Sequence, residues 1–420
     1  MKKTIALILT LTLVFSLCAC GAIEAAPTET PAGTQQPDAG TPVPETTAAP
    51  AAPLVLNVAM RAQDYLAPDE SGQTILSFGY DSVQVYMKTN PEAAEKINNF
   101  LAVEDELFYS GRGEGDGLNA LLEQATDQFT YAHHEGASFS SFSCMRNVNV
   151  ERGDSRILAL RYRVNSFTGG AHSLYSDRAY VFDAASGQLL TLADLCEDKE
   201  ALEEKIYSYM CDQLAADLRY QSIPEYIEKF LDTPQEDALR ALIREGSWLL
   251  DETGLAVFSD IYEIGSFADG IVRFHLSYEE LDGLIREQWL PVDHTESGSV
   301  SIEPLRQGEN ARKDLLDKVT IDPAGSNYCL YADGSVYDLT VLTVRYFSDG
   351  VGFYPTETHW YASELTNGAL QIQTVIPEGM PSLMIRYLDA EGQAHSFLMT
   401  ESGKDGTVLL VEEASATAIG

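Results

Sequence analysis

RILALRYRVNSFTGGAHSLYSDRAYVFDAASGQLLTLADL, residues 156–195, sets the frame in which the rest of the chain is read. At its start, Leu158, Leu160, Tyr162 and Val164 fall on one face of an extended strand. Ile157, Ala159, Arg161 and Arg163 fall on the other, which therefore turns partly to water. Phe167-Thr168-Gly169-Gly170-Ala171-His172 interrupts the alternation, and its paired glycines permit a tight backbone path. Ala179–Asp183 and Gln188–Leu190 read as extended runs about Ala184-Ala185-Ser186-Gly187, where Gly187 supplies a left-handed turn residue.

Downstream, Leu202, Ile206, Met210, Leu214 and Leu218 form the inner stripe of a helix expected over about 198–219. Shorter helices are expected at 224–231 and 234–244. A hairpin of 248–250 and 255–258 turns about Asp251-Glu252-Thr253-Gly254. A strand at 271–276 and a helix at 278–288 complete this part. Upstream, Leu54–Met60 reads as a first strand, and Val83, Val85 and Met87 alternate in a second. Asn90-Pro91 is a helix start, with Asn as N-cap and Pro at the first helical position. A second helix is expected over 118–131.

Beyond Pro291 the character changes. Residues 292–312 are polar and read as a linker. Strand-like runs follow at 336–347, 370–376, 383–388, 394–399 and 407–412, separated by turn sequences such as Asp389-Ala390-Glu391-Gly392. The expected fold is therefore α+β. A mixed strand–helix module of two sub-domains, 54–135 and 136–291, precedes a small all-β sandwich-like domain over 313–420.

The chain has 64 acidic residues against 27 basic ones, a net charge of −37 over 420 residues. Nucleic-acid binding, which needs Lys and Arg for phosphate, is not expected. The charge supports solubility and speeds encounter with cationic partners.

The N-terminus carries an export signal: Met1-Lys2-Lys3, an uncharged apolar run over 4–17, then Leu17-Cys18-Ala19-Cys20-Gly21. The tetrapeptide resembles a bacterial lipobox. It makes residues 1–19 a signal peptide and Cys20 the acylated mature N-terminus, held on the outer face of the cell membrane by buried CH₂ groups. Residues 20–53, the lipidated Cys and a run rich in Ala, Pro and Thr, cannot bury a core and read as a disordered tether. Cys144, Cys196, Cys211 and Cys329 are too few for a disulfide framework and lack metal-binding spacing, with a Cys196–Cys211 bridge left open.

Thr168-Gly169-Gly170-Ala171-His172 is followed by Phe182-Asp183 with Gly187, by Leu192-Ala193-Asp194-Leu195, and later by Tyr262-Glu263-Ile264 with Ala268-Asp269-Gly270. Over about 140–290 this arrangement resembles one family of extracytoplasmic domains. It comprises the sensor portion of a membrane-anchored anti-sigma factor that binds lysozyme, and the non-catalytic N-terminal part of certain peptidoglycan deacetylases. The resemblance implies a cationic muramidase as ligand. No sigma-binding segment or deacetylase domain accompanies it here, and there is no HExxH zinc motif.

His172 reads either as a ligand or base, or as a side chain that pins the turn through a ring nitrogen; the second reading is preferred, since no nucleophile lies near in sequence. Asp260, Glu263 and Asp269 read as a cation or acid–base site, or more simply as a solvated acidic loop. His133-His134-Glu135 reads as the polar end of the second helix, because adjacent helical side chains diverge. No catalytic residue, metal or cofactor is expected. The expected function is that of a non-enzymatic surface lipoprotein that binds a protein ligand such as a lysozyme. The alternative is a peptidoglycan-binding or other glycan-binding accessory module; a hydrolase or deacetylase centred on His172 is a third class.

Overall fold

The structure is a computed structural model that describes residues 53–69, 71–112, 117–304, 326–346, 353–374, 383–401 and 408–412. The signal peptide, Cys20 and residues 21–52 lie outside the described residues. Two long strands, β1 (Leu54–Leu66) and β2 (Thr74–Met87), open the fold as an antiparallel hairpin. The chain then enters α1 (Pro91–Ser110) as the sequence indicates: the Asn90 side chain accepts from the Ala93 amide, with Pro91 at the first turn. Helices α1 and α2 (Gly117–Glu135) form the crossover that lets β3 (Phe142–Gly153) run parallel to β2. Strands β4 (Ile157–Phe167) and β5 (Leu174–Asp183) complete this edge as an antiparallel pair.

The first half of β4 is buried on both faces, more deeply than its sequence indicates. Leu158, Leu160 and Tyr162 pack with Ile97 and Leu101 of α1. Ile157 and Ala159 pack on the opposite face with α3 (Lys199–Ala216), α4 (Ile223–Phe230), α5 (Gln235–Ala241) and a small sheet. That sheet is β6 (Trp248–Leu250), β7 (Gly254–Phe258) and β8 (Arg273–Ser277), with the expected hairpin between β6 and β7. Beyond Ala159 this second face turns polar at Arg161 and Arg163.

The helix expected over 278–288 is not formed. Asp282 (φ 50°) and Gly283 (φ 75°) are consecutive left-handed residues, which a right-handed helix cannot accommodate, and only one 3₁₀ turn, Glu287–Trp289, appears. The polar run 292–312 is not wholly a linker either. Ser299–Pro304 forms β9, with Val300 and Ile302 turned to an apolar core and Ser299, Ser301 and Glu303 exposed. Its period-two pattern is hidden in a serine-rich composition.

The C-terminal part is all-β: β10 (Ser326–Asp333), β11 (Ser335–Tyr346), β12 (Phe353–Thr366), β13 (Ala369–Thr374), β14 (Leu383–Leu388), β15 (Ala394–Glu401) and β16 (Val408–Glu412). Leu330, Val336, Leu339, Val341, Ile385 and Met399 are among its core residues. The fold is thus α+β with an all-β C-terminal part, of which only β13-β10-β9 forms a sheet of its own. Sheet β13-β10-β9 packs on strands of the main sheet. That main sheet has ten strands in the order β16-β15-β14-β11-β12-β1-β2-β3-β4-β5. The two halves of the chain meet where Val55, Leu56 and Asn57 of β1 pair with Ala362, Tyr361 and Trp360 of β12. Among the described residues, no helix is long and apolar enough to cross a membrane.

Candidate functional site

The hairpin loop from β4 to β5 carries Thr168–His172, and Gly169 (φ 91°) and Gly170 (φ 108°) both occupy backbone conformations that favour glycine. The loop stacks the half-buried His172 ring on Phe267, with centroids 3.6 Å apart and the planes 24° from parallel. His172 Nε2 lies 2.9 Å from the Tyr262 hydroxyl and Nδ1 lies 3.1 Å from the Ser173 carbonyl. Both nitrogens are engaged, so the histidine clasps its own hairpin to the acidic loop. Tyr262 holds a left-handed backbone (φ 65°) where it meets the ring. The two segments singled out in the sequence are therefore brought together, through Tyr262 of the Tyr262-Glu263-Ile264 run and through Phe267, which the sequence did not single out.

The three carboxylates of the acidic loop are tied into local structure. Glu263 receives two bonds from Arg244, at 2.6 and 3.0 Å, and accepts from the Asp260 amide. Asp260 lies 3.8 Å from Arg244; burial, then repulsion from Glu263, pushes its carboxyl up. Asp269 accepts from the Ser266 amide and hydroxyl and from the Ser222 hydroxyl. Burial opposes its ionisation, but these bonds win and lower it. His133 and His134 sit in the last turn of α2, where His134 contacts Glu135. Among the described residues no group of three or more His, Cys, Asp or Glu is placed to hold a metal ion. All four described cysteines are free thiols.

A second cluster assembles from distant parts of the chain. Arg152, at the end of β3, is fully buried. It donates twice to Asp154, at 2.8 and 2.7 Å, and to the Tyr278 hydroxyl and the carbonyls of Trp289 and Leu290. Glu252, in the β6–β7 turn, stands 4.0 Å from the same guanidinium. Asp338 lies on β11 with φ 49°, and its carboxyl and the Gly153 carbonyl, the latter at 2.7 Å, share the single proton of the Tyr361 hydroxyl. One buried cation thus faces several carboxyl groups. Burial, then repulsion from Asp338, pushes Glu252 up to about 8; burial likewise pushes Asp338 up to about 6.

Next to this cluster, β3 and β4 meet β11, β12 and β14 around a cleft of about 310 Å³. Tyr361 and Asp338 line it on one side and the Glu151–Arg161 ion pair, at 2.6 Å, on the other. A strained backbone residue and a displaced carboxyl at the wall of a polar cleft are the usual marks of a functional site. Nothing in the sequence links Arg152 and Asp154 to residues 252, 338 and 361.

Fold and site together define an α+β module with a motif hairpin clasped to an acidic loop and a polar cleft beside the C-terminal strands. No protein-family model and no curated protein matches the chain. Among solved structures it is similar to a member of the DUF3298 family from Bacteroides fragilis, with 14% identity, a TM-score of 0.41, and coverage of 57% of this chain and 96% of that one. It is also similar to a DUF3298 family protein from Pseudomonas aeruginosa PAO1, with 16% identity, a TM-score of 0.40, and coverage of 56% and 97%. Both neighbours are bacterial proteins of that family, and a likeness of this size carries nothing about ligand or activity.

Proposed function

We propose that the protein is a non-enzymatic, extracytoplasmic lipoprotein, anchored through Cys20, whose α+β module binds a cationic protein ligand of the lysozyme type. The reading is carried by the engagement of His172. With one ring nitrogen facing Tyr262, the other facing a backbone carbonyl, and its ring stacked on Phe267, the motif acts as a brace for a surface. The acidic loop beside it is held in a fixed shape by Arg244 and by the Ser222 and Ser266 hydroxyls.

Charge supports the choice of partner. Glu200 and Asp212 on α3 and Asp237 on α5 are exposed, in a chain of net charge −37. Such a surface attracts a cationic protein over a Debye length and fixes its orientation. The resemblance of residues 140–290 to lysozyme-binding anti-sigma domains supports the same ligand. Calorimetric titration of the chain with hen lysozyme at low and moderate salt tests the proposal. Saturable heat with a defined stoichiometry at both salts is expected. Heat that never saturates, or that vanishes at moderate salt, rejects it.

A further inference from the structure

We propose that the cleft between β3–β4 and β11–β12–β14 is a binding site for a single carboxylated pyranose, a hydroxyl-rich sugar ring bearing one carboxylate. The site is separate from the motif hairpin and independent of the lysozyme reading. Its floor is a row of cross-strand neighbours: Arg386 of β14 opposes Thr340 of β11, which opposes Tyr361 of β12. Opposed residues share a face, and strands lie about 4.8 Å apart, so Arg386 and Tyr361 stand roughly 10 Å from each other. That span fits one sugar ring with its substituents. The volume of about 310 Å³ agrees, being at the lower end of the ~300–1,000 Å³ that small-ligand sites occupy.

The ligand's chemistry follows from the two ends of the row. Arg386 is exposed, and among the described residues no carboxylate lies within ion-pair distance of it. Set in the wall of the cleft, this guanidinium is available to a ligand. Its planar fork suits a carboxylate. At the other end Asp338 and Glu151 offer acceptor oxygens, which call for hydroxyl or amide donors. Asn149 and Thr340 add hydrogen-bonding groups along the walls. Arg161 is already held by Glu151 and Asp177, which leaves Arg386 as the cation of the lining without an acid partner among the described residues, matched to a single carboxylate. Asp338 is held in its left-handed conformation with its carboxyl fixed by Tyr361, which pre-forms this end of the site.

Two sources share this chemistry, a muramic acid unit of wall glycan and a uronic acid. Ligand-observed NMR titration of the full chain with N-acetylmuramic acid, glucuronic acid and N-acetylglucosamine separates them. Saturable binding of one or both carboxylated sugars is expected, with the tighter one naming the source and N-acetylglucosamine binding about tenfold or more weakly. Arg386→Gln, at an exposed position, should weaken binding by a similar factor, whereas Arg178→Gln, outside the cleft, should not. No saturable binding of either carboxylated sugar, equal binding of N-acetylglucosamine, or unchanged affinity in Arg386→Gln would overturn the assignment.

Discussion

Replacing Arg152 by Met isolates what one buried cation does for this fold. The guanidinium is fully buried and makes five hydrogen bonds, two to Asp154, one to Tyr278 and two to the carbonyls of Trp289 and Leu290. Methionine keeps part of the stem but leaves Asp154, Glu252 and Asp338 without their shared counter-charge. Breaking a buried pair by removing one partner costs about 3–5 kcal/mol. Residues 53–412 hold every strand and helix described above. At about 2.1 cal/mol/K of unfolding entropy per residue, a unit of roughly 360 residues gains about 0.8 kcal/mol/K, so Tm should fall by about 4–6 °C. The pH dependence supplies a second check. At pH 5 Glu252, raised to about 8, and Asp338, raised to about 6, are mostly neutral, and losing the cation matters less. At pH 8 Asp338 is ionised and Glu252 partly so, and the loss is larger. Scanning calorimetry of both proteins at pH 5 and 8 measures this. A fall under about 1 °C at both pH values, or a larger fall at pH 5, would refute the reasoning.

The unaltered protein should lose stability between about pH 4 and 8. The folded forms of Glu252 and Asp338 bind protons more tightly than their ordinary values of 4.5 and 3.8, so the native state gains relative stability as pH falls through that window. Urea midpoints should show a flatter slope in Glu252→Gln/Asp338→Asn, and an unchanged slope rejects the assignment. His172→Ala removes two hydrogen bonds and one stacked ring, about 2–4 kcal/mol in all, and the loss should be local. Amide exchange should quicken over 260–270 while the core of β4 keeps its protection; slow exchange in that loop would show that the clasp is not needed. Gly187→Ala should cost at least about 2 kcal/mol, because Gly187 has φ +71° and a Cβ there would lie 2.4 Å from the Ala93 carbonyl oxygen. A Tm within a degree of the parent would contradict that geometry.

Local patterns were the readable part of this chain. The Asn90-Pro91 helix start, the Leu202, Ile206, Met210 and Leu214 stripe of α3 and the 248–258 hairpin depend on neighbours a few residues apart, and the structure contains them; Leu218, expected on the same stripe, lies past the end of α3 and is exposed. Strand β3 escaped notice because Arg146 occupies an inward position. There its guanidinium lies 4.7 Å from the Phe108 ring and 4.8 Å from that of Tyr162, and bonds the Glu104 carbonyl. A charge within an apolar alternation hides the strand unless its partners are known. The cleft was unreadable for a related reason. Tyr361 and Gly153 are 208 residues apart and meet only because β1 joins β12 to the rest of the sheet. The helix expected at 278–288 failed at Asp282-Gly283, where two left-handed residues let Tyr278 donate to the Asp251 carbonyl at 2.8 Å and meet Arg152.

The central claim is recognition of a cationic muramidase by an acidic, braced surface. Surface plasmon resonance of hen lysozyme over the immobilised chain, at about 20 and about 200 mM salt, tests it most directly, because those conditions straddle strong and weak screening. The account predicts saturable binding at both salts, with the association rate falling about tenfold or more at the higher one and the dissociation rate nearly constant. A signal that does not saturate at either salt, or one abolished at the higher salt, would contradict it.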